Sequence, residues 1–301
     1  MSAMKAYVFP GQGSQKVGMS AGFLSLKDYK TYFEKANDTL GFDLTKLMTE
    51  GPADELTLTQ NTQPALLLAG IVAYKWHLEN GGEAPAYFVG HSLGEWTALV
   101  AAGVLSLEDG LKLVHLRGQA MQRAVPAGKG GMLAVIGLTP EQATAVAKDT
   151  GAFVANDNSD GQVVLSGDKV AITKATEMAK IAGAKRALPL PVSAPFHCPL
   201  MAPAADEMAQ ALEEIVFNEP SAPVICNVTA RPETDPEKLK ENLIAQITGQ
   251  VRWRESMQWL ADNDVTHLTE FGSGKVLCGL APRCDKRLSG VAITEPKSEA
   301  A

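Results

Sequence analysis

The run Gly90-His91-Ser92-Leu93-Gly94 constrains this chain more than any other stretch of it. It follows the apolar segment Ala86-Tyr87-Phe88-Val89 and opens a helical pattern over 95–105. A serine on a sharp strand-to-helix turn holds its hydroxyl in the open, and glycines two residues to either side let backbone pass close by. The Leu93 amide and the helix start beside it then put fixed positive dipole where a tetrahedral oxyanion would form. A G-x-S-x-G run also occurs in tight turns whose serine merely caps a helix. It is the strand–turn–helix setting that points to a nucleophile.

The 301 residues suffice for one large domain carrying a smaller inserted one. With 46% hydrophobic and 20% charged residues the composition is globular, not disordered. A net charge of -7 argues against nucleic acid or an anionic membrane as partner, although local basic patches remain compatible with it. The longest apolar stretch, 65–73, is too short to span a bilayer. The start of the chain enters a strand-like pattern without a charged leader, long apolar core or cleavage site, so a cytoplasmic protein is expected. The four cysteines form no C-x-x-C pair and no zinc spacing, which reads as reduced thiols and no metal. Only five histidines are available, so candidates for a base are few.

Strand-like 5–9, helices over 29–40 and 65–78, the strand before the elbow and a helix over 107–124 capped by Ser106 alternate in order. This predicts an α/β fold with a central, mainly parallel sheet covered on both faces. The Gly/Pro-rich break Pro126-Ala127-Gly128-Lys129-Gly130-Gly131 releases the chain from that pattern. There follow a strand at 132–138, a helix at 140–148 capped by Thr139, strands at 153–156 and 162–166 around the turn Asn158-Ser159-Asp160-Gly161, a helix at 170–182 and a strand at 186–191. That order is ferredoxin-like, so an inserted α+β subdomain is expected at 128–192, within a discontinuous large domain at 1–127 and 193–301. The large domain resumes with a helix at 203–215, a strand at 223–228, helices at 236–247 and 253–263, a strand at 267–271 and a frayed tail at 296–301.

Ser92 needs a base, because its hydroxyl is a weak nucleophile at neutral pH. His197 is the leading candidate: the prolines of Pro195-Phe196-His197-Cys198-Pro199 should keep the segment extended and restrict the imidazole. A loop histidine without duty fits the same residues. No acid between Ser92 and His197 stands out, and a hundred residues follow His197, which argues against a standard lipase or esterase. It favours a pair whose imidazole is steadied by a carbonyl or amide. Arg117 shares a helix face with Val114 and Met121, and no neighbour there is acidic. A buried guanidinium must find an anion elsewhere, and its planar fork suits a carboxylate; a tertiary salt bridge answers the same need. Gln12, in a glycine loop after the first strand, Gln63 and Gln246 are neutral hydrogen-bonding groups that suit a site or a structural role equally.

Taken together, Phe9-Pro10-Gly11-Gln12-Gly13-Ser14-Gln15, Thr62-Gln63-Pro64-Ala65, Gly90-His91-Ser92-Leu93-Gly94-Glu95, Arg117, Pro189-Leu190-Pro191-Val192-Ser193, Phe196-His197-Cys198 and Gly272-Ser273-Gly274-Lys275-Val276-Leu277 resemble one family along nearly the whole chain. The sequence is similar to the malonyl-CoA:acyl carrier protein transacylases of bacterial fatty-acid synthesis. The resemblance implies a hydrolase-like domain with a ferredoxin-like insertion. It implies that Ser92 carries malonyl as an ester, that His197 is base and then acid, and that Gln12 and Leu93 supply the oxyanion-hole amides. Arg117 would bind the free malonyl carboxylate, with Gln63, His91 and Gln246 in support. The carbonyl of Gln246 would steady the histidine, with Gln250 as a nearby rival. Malonyl-CoA and a phosphopantetheinylated carrier are the implied partners, the protein acting as a monomer with no cofactor. Trp96 stands where a tyrosine is usual, and Phe196 where small residues also occur, which bears on the size of 2-substituent admitted.

Three other readings share these residues: an acyltransferase serving a polyketide carrier, an editing thioesterase, and a non-catalytic carrier-docking protein. Because carrier proteins are acidic, the site mouth should be locally basic, with Lys185, Arg186, Lys275, Arg283, Lys286 and Arg287 as contributors or simply as solubilising charge.

Overall fold

The computed structural model describes residues 4–192 and 194–296. Strands β1 (Met4–Phe9), β2 (Tyr87–Gly90), β7 (Val224–Cys226), β8 (Arg231–Glu233), β9 (Val265–Phe271) and β10 (Ser289–Ile293) form a six-stranded sheet in the order β10-β9-β1-β2-β7-β8. Every pairing in it is parallel except that of β8 with β7. Side chains of a strand alternate between faces, and β1 shows the consequence: Tyr7 and Phe9 enter one core, Ala6 and Val8 the other. Helix Thr59–Glu79 contributes to the first core, helices Trp253–Asp262 and Val276–Cys284 to the second.

The intervening segment makes a separate antiparallel sheet. Its strands β3 (Gly130–Ile136), β4 (Phe153–Ser159), β5 (Gln162–Asp168) and β6 (Arg186–Pro189) lie in the order β4-β5-β3-β6. Helices Pro140–Thr150 and Lys169–Ile181 share an apolar cluster with β3 and β5 through Val146, Ile172, Leu133 and Leu165. Thr139 and Gln142 close the first of these helices with a reciprocal capping box.

Several elements depart from the sequence reading for identifiable reasons. The helix expected from residue 65 begins at Thr59 and carries Pro64 in its interior. Proline leaves the carbonyl four residues earlier without its helical donor, and His115 Nδ1 takes over that Gln60 oxygen at 2.8 Å. β4 runs through the polar residues read as a turn, leaving only Asp160-Gly161 at the bend. Tertiary partners override the turn composition there: Arg254 forks onto Asp157, Asn158 reaches His91, and the backbone of 155–157 pairs with Val251. The strand expected to reach residue 228 stops at Cys226 because Asn227 turns away to serve the elbow. Helix Val276–Cys284 was not legible. Its first amides are capped from outside by Glu270 of β9, and Pro282 sits in its last turn. The exposed edge strand β10, the short β8 and helices Leu44–Glu50 and Ala53–Thr57 were likewise missed. Ser193, and the expected tail beyond Pro296, lie outside the described residues.

One close approach fixes the sheet against the helix that follows β2. A Cβ on Gly94 would lie 1.9 Å from the Phe9 carbonyl oxygen, and one on Gly90 would lie 1.8 Å from the Gly94 carbonyl carbon. The obstacles are backbone, which cannot swing aside. Gly94→Ala is therefore expected to destabilise the protein by about 2–3 kcal/mol or more. Urea denaturation checks this; a midpoint equal to the wild type would show that the helix start can move.

Candidate active site

Adjacent parallel strands bring the site residues to one edge of the sheet. Phe9 of β1 pairs with Gly90 of β2, so the loops at 10–13 and 91–92 leave the sheet side by side. Asn227 follows β7, the neighbour of β2 on its other side. Ser92 has φ 53° and ψ −108°, a conformation that a non-glycine residue keeps only when its surroundings over-determine it. Asn227 supplies that constraint. Its Oδ1 accepts from the Ser92 amide at 2.7 Å, and its Nδ2 donates to the Gly90 carbonyl at 2.6 Å.

Ser92 Oγ lies 2.7 Å from His197 Nε2, and His197 Nδ1 lies 2.9 Å from the main-chain oxygen of Gln246. A carbonyl only accepts, so Nδ1 carries the ring proton and Nε2 is free to receive that of the serine. Burial, and then the nearby Arg117 charge, hold the imidazole down at about 3, so it is a neutral base at ordinary pH. The backbone does not stay extended throughout as expected: Cys198 before Pro199 does, but His197 itself has φ 59°. Gln250, the rival for steadying the ring, lines a different hollow beside Arg254 and Glu255.

Arg117 is 1% exposed. Its Nη1 donates to Gln63 Oε1 at 2.8 Å, and its Nη2 to Gln246 Oε1 at 3.0 Å and Ser92 Oγ at 3.2 Å. These acceptors are uncharged, and its Nε has no partner among the described residues. Burial lowers the guanidinium to about 10 while Glu95 opposes the shift, so it remains a cation at neutral pH. A charge held only by neutral groups is available to an incoming anion.

Gln12, Gln63, His91, Ser92, Leu93, Arg117 and His197 line one cavity of about 230 Å³, with Met121, Met132, Val164, Leu190, Val192 and Phe196 as its apolar walls. Leu93 is the first residue of helix Leu93–Ala101, where main-chain amides lack helical partners. Gln12 follows β1, its side chain 3.5 Å from Thr59 Oγ1. His91 Nε2 pairs with Asn158 Oδ1 at 2.7 Å, tying the elbow to the small sheet. The proposed basic rim is partly committed elsewhere: Arg287 bonds Asp262 and Asp285, and Arg283 bonds Gln162.

Asn227 and the role of Glu95 escaped the sequence reading. Asn227 left one signal, an asparagine directly after a short apolar run. Glu95 resembles an ordinary acid in a first helical turn, but it is buried beneath the elbow, where its Oε2 accepts from Asn227 N at 3.0 Å and Gln246 Nε2 at 2.7 Å.

Chemically this is a serine poised to accept an acyl group, facing a buried cation suited to an acid tail. The comparisons with known proteins agree with that class. A family model described as an acyl transferase domain matches residues 6–268. The malonyl CoA-acyl carrier protein transacylase of Escherichia coli strain K12 is 46% identical over 301 residues, covering 98% of this chain and 97% of that protein. The crystal structure of an acyl carrier protein S-malonyltransferase from Vibrio cholerae O1 biovar eltor superposes with TM-score 0.95 at 48% identity, covering 98% of each chain. A malonyl-transacylase solved in complex with a type II PKS acyl-carrier protein superposes with TM-score 0.94 at 44% identity, covering 98% of this chain and 97% of that one. The chain belongs to the acyl transferase domain family, in the branch of the malonyl CoA-acyl carrier protein transacylases.

The depressed imidazole predicts a pH effect of definite sign. The unfolded chain binds a proton on this histidine near its ordinary value of 6.5 and the folded protein only near 3, so stability falls as pH drops through that window. Glu95, pushed up by burial to about 7, runs the opposite way, gaining stability as pH falls toward its ordinary value of 4.5. Comparing wild type with His197→Gln isolates the histidine. Between pH 7 and 5 the wild type should lose on the order of 2 kcal/mol more than the variant. Parallel curves would mean that His197 titrates normally.

Proposed function

We propose that this protein transfers the malonyl group of malonyl-CoA to the phosphopantetheine thiol of an acyl carrier protein, for fatty-acid biosynthesis, through a malonyl ester on Ser92. The observation that carries the reading is that Ser92 Oγ stands 2.7 Å from His197 Nε2 and 3.2 Å from Arg117 Nη2 in one cavity. Names of relatives across the whole chain support malonyl as the group, and the relative solved with its carrier supports the acceptor.

In the first half-reaction His197 Nε2 takes the hydroxyl proton as Ser92 Oγ attacks the thioester carbonyl. The oxyanion is stabilised by the main-chain amides of Leu93 and Gln12. Collapse breaks the carbon–sulfur bond, and His197 returns its proton to the departing CoA thiolate. In the second half, His197 deprotonates the carrier thiol, which attacks the ester, and Ser92 leaves with the proton restored. Arg117 holds the malonyl carboxylate throughout, while the Gln246 carbonyl keeps the imidazole in the basic tautomer. Gln63 and His91 support the site, Gln63 by holding Nη1 of Arg117 and His91 by bonding Asn158.

We further infer a hydrolase-like large domain at 1–127 and 193–301, into which residues 128–192 are inserted as a ferredoxin-like lobe. The order β4-β5-β3-β6, antiparallel throughout, supports the latter. Since one chain supplies all the site residues, the protein is proposed to act as a monomer, and to work in the cytoplasm. No described helix is long and apolar enough to cross a membrane.

Intact mass after mixing with malonyl-CoA or acetyl-CoA tests the function. Wild type should gain a malonyl group and Ser92→Ala none. Arg117→Ala should lose malonyl loading by roughly 10²–10³-fold, while acetyl loading holds or improves. Unchanged malonyl kinetics in that variant would remove Arg117 from the site, and rapid release of malonate without carrier would make the protein a thioesterase.

A further inference from the structure

The mechanism above uses Ser92, His197 and Arg117 but leaves a buried acid beneath them unexplained. Glu95 is 1% exposed, so it is not a solvated charge complementing a helix start. Its Oε2 receives two hydrogen bonds, from the Asn227 amide at 3.0 Å and from Gln246 Nε2 at 2.7 Å. Both donors belong to residues that touch Ser92: Asn227 Oδ1 holds its amide, and Gln246 Nε2 is 3.0 Å from its carbonyl oxygen.

The consequence lies in the asymmetry of a primary amide, which has one donating and one accepting end. Nε2 of Gln246 is surrounded by acceptors, and Glu95 Oε2 is the nearest of them, at 2.7 Å. With that end committed, Oε1 is the end that meets Arg117 Nη2, at 3.0 Å. The reversed amide would press NH₂ hydrogens against the guanidinium and oppose its oxygen to Glu95 Oε2, two repulsive contacts between buried groups.

We propose that Glu95 is a positioning residue for acyl selection: by accepting from Gln246 it fixes which end of that amide faces Arg117, and so orients the guanidinium that distinguishes a carboxylated acyl group from an uncharged one. Burial raises the Glu95 carboxyl to about 7, while hydrogen bonds from Asn227, Gln246 and Cys226 and the Arg117 charge oppose the rise. The proposal rests on the malonyl-transfer reading and deepens it.

Single-turnover loading of Ser92 from malonyl-CoA and from acetyl-CoA gives the test, read as the ratio of the two rates. A purely architectural role would lower the yield, or both rates together, and leave the ratio unchanged. Glu95→Ala should lower the malonyl preference about tenfold or more. Gln246→Met removes the same amide while keeping the main-chain carbonyl under His197, and should lower it similarly. Glu95→Gln retains an oxygen for both donors and should restore the ratio to within about threefold of wild type. If Glu95→Ala yields no folded protein, Gln246→Met and Glu95→Gln decide the matter. A wild type that loads malonyl, beside a Glu95→Ala or Gln246→Met variant of unchanged preference, overturns the role of Glu95 alone. A wild type that loads neither thioester overturns the functional reading as well.

Discussion

Where the helix Leu93–Ala101 begins, its backbone comes so close to the end of β1 that position 94 has no room for a side chain. Much else follows from that approach. The helix start is held against the end of β1, and Gln12 and Leu93 line the same cavity as Ser92. The chain between β2 and the helix must then turn within very few residues, and Ser92 takes up the positive φ that points its hydroxyl outward. Such a conformation costs of order 1–3 kcal/mol and persists only under constraint. Asn227 and the Gly94 contact provide the constraint from two sides.

Around this elbow the protein keeps several polar side chains almost out of water. Arg117, Glu95, Gln246, Gln63 and Asn227 are all buried, yet they satisfy one another mainly through neutral amides. The arrangement is costly compared with an apolar core, and the proposed chemistry gives a reason to keep it. Replacing the amides with a carboxylate ion pair would neutralise Arg117 and leave nothing to attract a substrate acid. Burial, and after it the same positive charge, keeps His197 unprotonated.

What was legible in the sequence was mostly local. The strand–turn–helix around Ser92 needs only consecutive residues, and the separate second sheet needed only the alternation of patterns after the Gly/Pro-rich break. His197 emerged because histidines are few. The need of Arg117 for a partner was evident from its own helix face, but the partners were not, since Gln63 and Gln246 lie 54 and 129 positions away. Gln246 and Gln250 differ by about one helical turn, and only the end of the helix at Thr248 separates their surroundings. Asn158 and Ser159 read as part of a turn by composition, yet continue the strand because Arg254, His91 and Val251 bind the stretch from 155 to 158. Helix Val276–Cys284 hid for the converse reason, its cap coming from a distant glutamate.

The central claim is that the guanidinium beside the nucleophile exists to hold the far carboxylate of the acyl group. A crystal structure of the protein soaked with malonyl-CoA, in the absence of carrier, tests it most directly. The account predicts an ester on Ser92 Oγ, both terminal carboxylate oxygens within hydrogen-bond distance of Arg117, and the ester carbonyl oxygen directed at the amides of Gln12 and Leu93. An ester whose carboxylate faces solvent, with Arg117 still bound only to Gln63 and Gln246, would contradict it.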